Sequence, residues 1–279
     1  MRLPVDLVAI ARLEVAEVRR SRWLPVCLGL YAGLAALFVL VGLRESRVLG
    51  FTGMGRVLFS LTHALVFLLP LIALAVTGQT VNRAREDGTL ELLLTQPVDR
   101  GRYLAAVAAV RTAALVAPLL VLLVVLAAGG AMLGMGAAPL GLVARAAAVS
   151  TALLFCFAAV GVLLSTLVRS PARAMTYLLL TWMASVALLD LGLIGLLLQW
   201  RLPPRAVFLL AALNPVQDAR LALLSALETD LATLGPVGFW IATRVGREAL
   251  LALGVGWPLV AGAGAFALAW LRFRRDDLI

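Results

Sequence analysis

Six runs of apolar residues divide the chain, at approximately 23–43, 57–81, 104–128, 142–168, 175–199 and 249–271. A helix needs about 20 apolar residues to cross a hydrocarbon layer of roughly 30 Å, and each run is long enough. The runs are continuous and rich in Leu and Ala, without period-2 alternation. A barrel strand would be shorter and would alternate. Inside lipid every backbone N–H and C=O needs an internal partner, so runs of this kind predict helices. The pattern predicts an all-α polytopic membrane protein with six transmembrane helices, forming one transmembrane domain over residues 1–279. Pro25 falls in the first turn of the first span, where a missing N–H is harmless. Pro70, Pro118 and Pro258 fall inside spans two, three and six and predict kinks.

The segments between the runs are read from their charge. Residues 1–22 place Leu7, Val8, Ala11, Val15 and Val18 on one stripe, with Asp6, Glu14 and Glu17 opposite. This predicts an N-terminal interfacial helix ahead of the first span. That span is followed by no small-residue cleavage site and is expected to stay as an anchor. Fourteen arginines fall in residues 1–22, the 82–103 and 169–174 loops and the tail. On the other side, Arg44, Arg47 and Arg56 flank one short connection, 129–141 has none, and five are spread over 200–248. Arginine-rich short loops stay inside, so both termini are expected in the cytoplasm. The 200–248 segment, with Pro203, Pro204, Asn214-Pro215 and Gly235-Pro236, predicts short helices lying at the outer face or dipping into it.

Composition sharpens the class. Hydrophobic residues make up 63% and charged residues 14%, too little charge to cover a soluble surface of this size. The net charge of +9 sits at span ends, where it meets lipid phosphates, and implies no nucleic acid partner. All 24 basic residues are arginine. Without lysine the chain has no Walker A loop and no Schiff-base chemistry. Cys27 and Cys156 both fall in apolar runs and read as small buried hydrophobes. His63, the one histidine, cannot build a metal site alone and is expected to make an interior hydrogen bond. Met132 and Met135 have the spacing of soft Cu(I) ligands but no neighbouring Cys or His. Gly29 and Gly33 form a G-x-x-x-G in span one, a spacing that permits close packing or dimerisation.

The most informative stretch follows span two: Asn82-Arg83-Ala84-Arg85-Glu86-Asp87-Gly88-Thr89-Leu90-Glu91-Leu92-Leu93-Leu94-Thr95-Gln96-Pro97. Gly88 is expected to end one helix and Thr89 to cap a second. Leu90, Leu93 and Leu94 then give that helix an apolar face until Pro97 stops it. By itself this is either a short helix that a soluble partner can grip or a capped turn between spans. Acidic residues, Gly-Thr-Leu-Glu, a leucine run, Pro and an arginine-rich turn resemble the coupling loop of six-span ABC export permeases. Gly50-Phe51-Thr52, Leu69 to Leu74, Leu92 to Pro97, Leu213-Asn214-Pro215 with Arg220-Leu221, and Asp190 late in span five resemble the NosY family. That family serves nitrous oxide reductase maturation. The likeness covers the whole chain in layout and roughly residues 50–103 and 213–224 in motif. Arg83 and Arg85 depart from it, making the start of the loop more basic.

The resemblance implies a two-copy membrane pathway driven by a separate cytosolic ABC ATPase of the NosF kind, which binds the ATP and Mg²⁺. This chain would be no enzyme and hold no cofactor. The coupling residues would be Glu86, Asp87, Gly88, Thr89, Leu90, Glu91, Leu93, Leu94 and Pro97. A periplasmic β-helix protein like NosD would dock outside, with Asn214, Pro215 and Arg220 as contact candidates. Asp190, Arg111 and His63 are the polar candidates within the spans. Asp190 would line the pathway or meet an arginine, unless it lies nearer the outer headgroups. Arg111 and Arg145 are near enough to span ends to snorkel; Arg111 shares a helix with the coupling loop. Two alternatives stay open: an ABC permease exporting a drug, peptide or lipid, and an ion-coupled carrier or intramembrane enzyme.

Overall fold

The computed structural model describes residues 5–49, 54–95, 99–132, 138–188, 204–227 and 244–275, and every regular element among them is a helix. In chain order these are α1 (Val5–Arg20), α2 (Trp23–Leu49), α3 (Met54–Thr77), α4 (Thr80–Glu86), α5 (Thr89–Leu94), α6 (Arg100–Met132), α7 (Leu140–Leu167) and α8 (Pro171–Met183). A π-helical turn, Ala184–Leu188, extends α8. Then come α9 (Pro204–Ala211), α10 (Pro215–Leu227) and α11 (Arg247–Arg275). Helices α2, α6, α7, α11 and the α3–α4 pair are each long and apolar enough to cross a membrane. The fifth predicted span is described as far as Leu188, and Asp190 lies outside the described residues. The helices run on through Pro70, Pro118 and Pro258.

Helices α3 and α7 form the centre. In each, 61% of the most apolar stretch is buried, against 22% for α2, α6 and α11. The outer helices keep their Leu and Val side chains outward because lipid, unlike water, does not penalise them. Burial between spans follows close fit: α7 packs along α3 and α11. Arg145 near the start of α7 donates to Glu248 at the start of α11 at 2.7 Å, so these two helices begin at the same end. At the opposite end Ile10, Val81, Leu90, Tyr103, Leu104 and Phe273 share one apolar cluster. The first and last described helices therefore meet there, beside α4 and α5.

The N-terminal helix packs against α6 on a face that is rotated from the predicted stripe but keeps Val18. Ile10, Glu14 and Val18 are buried, while Leu13 and Val15 are 56% and 45% exposed. The reason is Arg111 of α6. A guanidinium inside the bundle needs acceptors, so Glu14 turns inward, Glu17 reaches the same guanidinium from the exposed edge, and part of the apolar side is left for lipid.

Helices α9 and α10 are joined by a bend of 114° and form a hairpin of short helices packed into the bundle. Phe208 of α9 packs on Leu250 near the start of α11. The Leu213 carbonyl accepts from Trp257 Nε1 at 3.2 Å. Trp257 lies ten residues into α11, about 15 Å along the helix. Helix α10 then runs back with Val216, Ala219, Ala222 and Leu223 buried against the central spans. A Cβ on Gly254 would run into Ala222 Cβ, so α10 and α11 touch backbone to backbone. Neither limb is long enough to cross by itself, and the sharp turn between them is the geometry of a re-entrant pair or of a broken span.

Candidate functional site

The 86–95 stretch forms an elbow. The Asp87 N–H donates to the Arg83 carbonyl at 2.9 Å and the Gly88 N–H to that of Arg85 at 3.2 Å, closing α4. Gly88 has φ +68°, a left-handed conformation that costs a residue with a Cβ about 1 kcal/mol or more. Its carbonyl accepts from the Leu92 N–H at 3.2 Å, so Gly88 holds the cap position of α5 and Thr89 is the first helical residue, not the cap. Leu90 is buried in the cluster with Val81 and Phe273 and pins α5 to the bundle. Glu86, Asp87, Thr89 and Glu91 are exposed. Leu92, absent from the sequence-based candidates, is 72% exposed among these acids. The side chains of Leu93 and Leu94, and all of Pro97, lie outside the described residues.

Behind the elbow is a joint. Helix α3 ends at Thr77, and α4 begins at Thr80. In an unbroken helix the Val81 N–H would donate to Thr77, and the Val76 carbonyl would accept from Thr80. Here the Val81 N–H donates to Ser165 Oγ of α7 at 2.7 Å, and the Val76 carbonyl accepts from Arg111 Nη1 of α6 at 3.1 Å. Two other spans thus supply the partners that the break removes. Thr77 Oγ1 donates to the carbonyls of Ala73 at 2.7 Å and Ala158 at 3.0 Å. Gly161 makes this crossing possible, since a Cβ there would strike Thr77 Oγ1.

Arg111 does not snorkel. Its Nε donates to Glu14 Oε1 at 2.5 Å and its Nη2 to Glu17 Oε1 at 3.2 Å. One guanidinium therefore ties α1, α6 and the end of α3 together. Burial pushes the Glu14 carboxyl up from its ordinary 4.5, and Arg111 works against that rise. The strength of a buried pair is best seen on removing one member, which costs about 3–5 kcal/mol. Residue spacing alone could have hinted at this set: Glu14 and Glu17 share a helix face at i,i+3.

The remaining candidates fall around the hairpin. His63 stacks on Phe59 with ring centroids 5.1 Å apart. Its Nδ1 has no hydrogen-bond partner, contrary to the expected interior bond. Ring packing fills its place. The Arg220 guanidinium lies 4.2 Å from the centre of the Phe67 ring, and Trp182 Nε1 donates to the Phe67 carbonyl at 3.0 Å. Asn214 faces inward: its Oδ1 accepts from the Val216 N–H at 3.1 Å, and its Nδ2 donates to the Ser185 carbonyl at 2.6 Å. It is therefore spent on capping α10, with Pro215 as the first helical residue, and does not present itself to an outside partner. Asp218, which composition did not single out, is buried in the same first turn, and its Oδ2 has no partner. Met132 is exposed, and Met135 is outside the described residues.

The pattern of the family described as ABC-2 family transporter protein matches residues 8–278. The chain belongs to that family. The elbow, the joint and the hairpin of this ABC-2 permease subunit all fall inside the match. It is 31% identical over 274 residues to the "Probable ABC transporter permease protein NosY" of Stutzerimonas stutzeri, covering 95% of this chain and 97% of the relative. It is 33% identical over 274 residues to the protein of the same name from Pseudomonas aeruginosa, covering 88% and 95%.

Proposed function

We propose that this ABC-2 permease subunit converts ATP hydrolysis by a separate cytosolic ATPase into movement of its spans, through the α4–Gly88–α5 elbow. The observation that carries this reading is the elbow itself. It is a short helix pinned by Leu90, bent by a left-handed glycine, and fronted by exposed Leu92 among Glu86, Asp87 and Glu91. An apolar knob in an acidic rim fits a complementary groove on a soluble partner. The missing lysine supports a separate motor that holds the ATP and Mg²⁺. The arginine distribution supports an inner-membrane orientation with the elbow and both termini in the cytoplasm.

The pathway needs two copies. Gly29 and Gly33 of α2 have open space where a Cβ would stand, on a helix that exposes Val26, Leu37 and Leu40, and this is the face offered to a second copy. The similarity to two NosY proteins supports a role in maturing the copper–sulfur centre of nitrous oxide reductase. A NosF-like ATPase and a NosD-like β-helix protein would be the partners. Purification of the tagged chain in mild detergent tests the core of this reading. An ABC ATPase of roughly 30–35 kDa should accompany the wild-type chain and be lost with Leu92→Glu. Recovery of the chain without an ATPase would sink it.

A further inference from the structure

We infer that Ser165 is the positioning residue of the stroke: its hydroxyl holds α4 in the resting orientation, and release of the Val81 N–H from it is the step that lets the elbow swing. The inference rests on the coupling reading above. The two attachments that close the break are unequal. Arg111 is charged and is held by Glu14 and Glu17 as well as by the Val76 carbonyl. Ser165 offers one neutral acceptor to one backbone amide. Arg111 holds the end of α3 by a charge-assisted bond, whereas α4 is held to α7 by the neutral Ser165 bond, so a load on α4 parts the α7 side first. The end of α3 cannot follow, because Thr77 is seated on Gly161 and bonded to the Ala158 carbonyl.

Asn82, the residue after Val81, gives the second, independent observation. It is fully buried, and neither Oδ1 nor Nδ2 has a hydrogen-bond partner. A buried amide with both ends unmet is uncommon and costly, so the resting orientation is not the only one for which this side chain is built. An orientation that pairs the Asn82 amide offsets the loss of the Val81–Ser165 bond. Helix α7 is then the first span to feel the elbow. Because α7 packs along α11 and against α10, it is also the route from the elbow to the hairpin.

The test uses the full chain with its co-purified ATPase in nanodiscs, in a background where Cys27 and Cys156 are alanine. Spin labels on exposed positions, Arg83→Cys of α4 and Arg272→Cys of α11, report the distance with and without a trapped nucleotide. The parent should show two positions. Ser165→Ala should move the nucleotide-free ratio about fivefold toward the trapped position, the effect of one lost hydrogen bond. Ser165→Thr should restore the parent ratio, and Asn82→Leu should suppress the trapped position. If Ser165→Ala and Ser165→Thr both match the parent distances while only the melting temperature falls, Ser165 is merely structural and the inference is wrong. Should Ser165→Ala not accumulate, unchanged distances in Asn82→Leu overturn it instead. A parent whose distance ignores nucleotide would defeat the coupling reading itself.

Discussion

Arg111 of α6 donates to Glu14 of α1 at 2.5 Å while the same guanidinium holds the Val76 carbonyl at the end of α3. A surface helix is thereby wired to the joint behind the elbow. Arg111→Met should lower stability by about 3–5 kcal/mol, because it leaves Glu14 buried without its partner. Glu14→Leu should cost less, because Arg111 keeps Glu17 and the Val76 carbonyl as partners. The double variant Arg111→Met/Glu14→Leu should recover part of the loss, since no buried charge is then left unpaired while the Val76 carbonyl still lacks its donor. Thermal unfolding in nanodiscs reads all three, and additive losses in the double variant would refute the coupling of the pair.

Acidity should tighten the docking of α1. Burial raises the Glu14 pKa in the docked state above its ordinary 4.5, with Arg111 opposing and Glu17 adding to the rise. The docked state therefore binds the proton better. Its extra stability is fully present below 4.5 and is lost as pH rises through the docked-state value. A cysteine at Val18, on the buried face, should be labelled faster as pH rises through that window even after division by the thiolate fraction, by no more than about tenfold per pH unit. In Glu14→Gln the labelling rate, divided by the thiolate fraction, should be flat across the window. An unchanged slope would mean that another group titrates.

Gly88 should separate coupling from folding. Gly88→Ala places a Cβ in the left-handed region at a cost of about 1 kcal/mol, and Gly88→Val at more, whereas Gly88→Asn costs least. All three should insert and purify, because the site is peripheral and a Cβ there meets open space. ATPase stimulation should be lost with Val, weakened with Ala and nearly kept with Asn. Full stimulation in Gly88→Val would show that the bend is not used.

Gly254 and the pair Gly29 and Gly33 should behave oppositely. Gly254→Val drives a side chain into Ala222 and the Asp218 backbone, and should destabilise the hairpin by about 1–3 kcal/mol through overpacking. Gly29→Leu and Gly33→Leu meet open space within one copy and should leave its folding intact. They should instead lower the fraction of paired chains in cross-linking. Intact pairing with both substitutions would move the interface away from α2.

Much of this molecule is written in local pattern. Hydropathy places the spans because lipid acts on each stretch separately, and Gly88 places the elbow because a left-handed turn is a property of one residue. The absence of lysine excludes a phosphate-binding loop with no reference to fold. The packed structure decided what depends on distant partners. Glu14 turns inward because Arg111 waits 97 residues away, against the stripe that its own helix presents. The break in span two holds because Ser165, 84 residues on, replaces a backbone acceptor. The seating of the hairpin depends on Gly254 and Trp257 of the last helix. Periodicity reports which residues are apolar, but a buried charge chooses the face, and only the assembled bundle says where that charge lies.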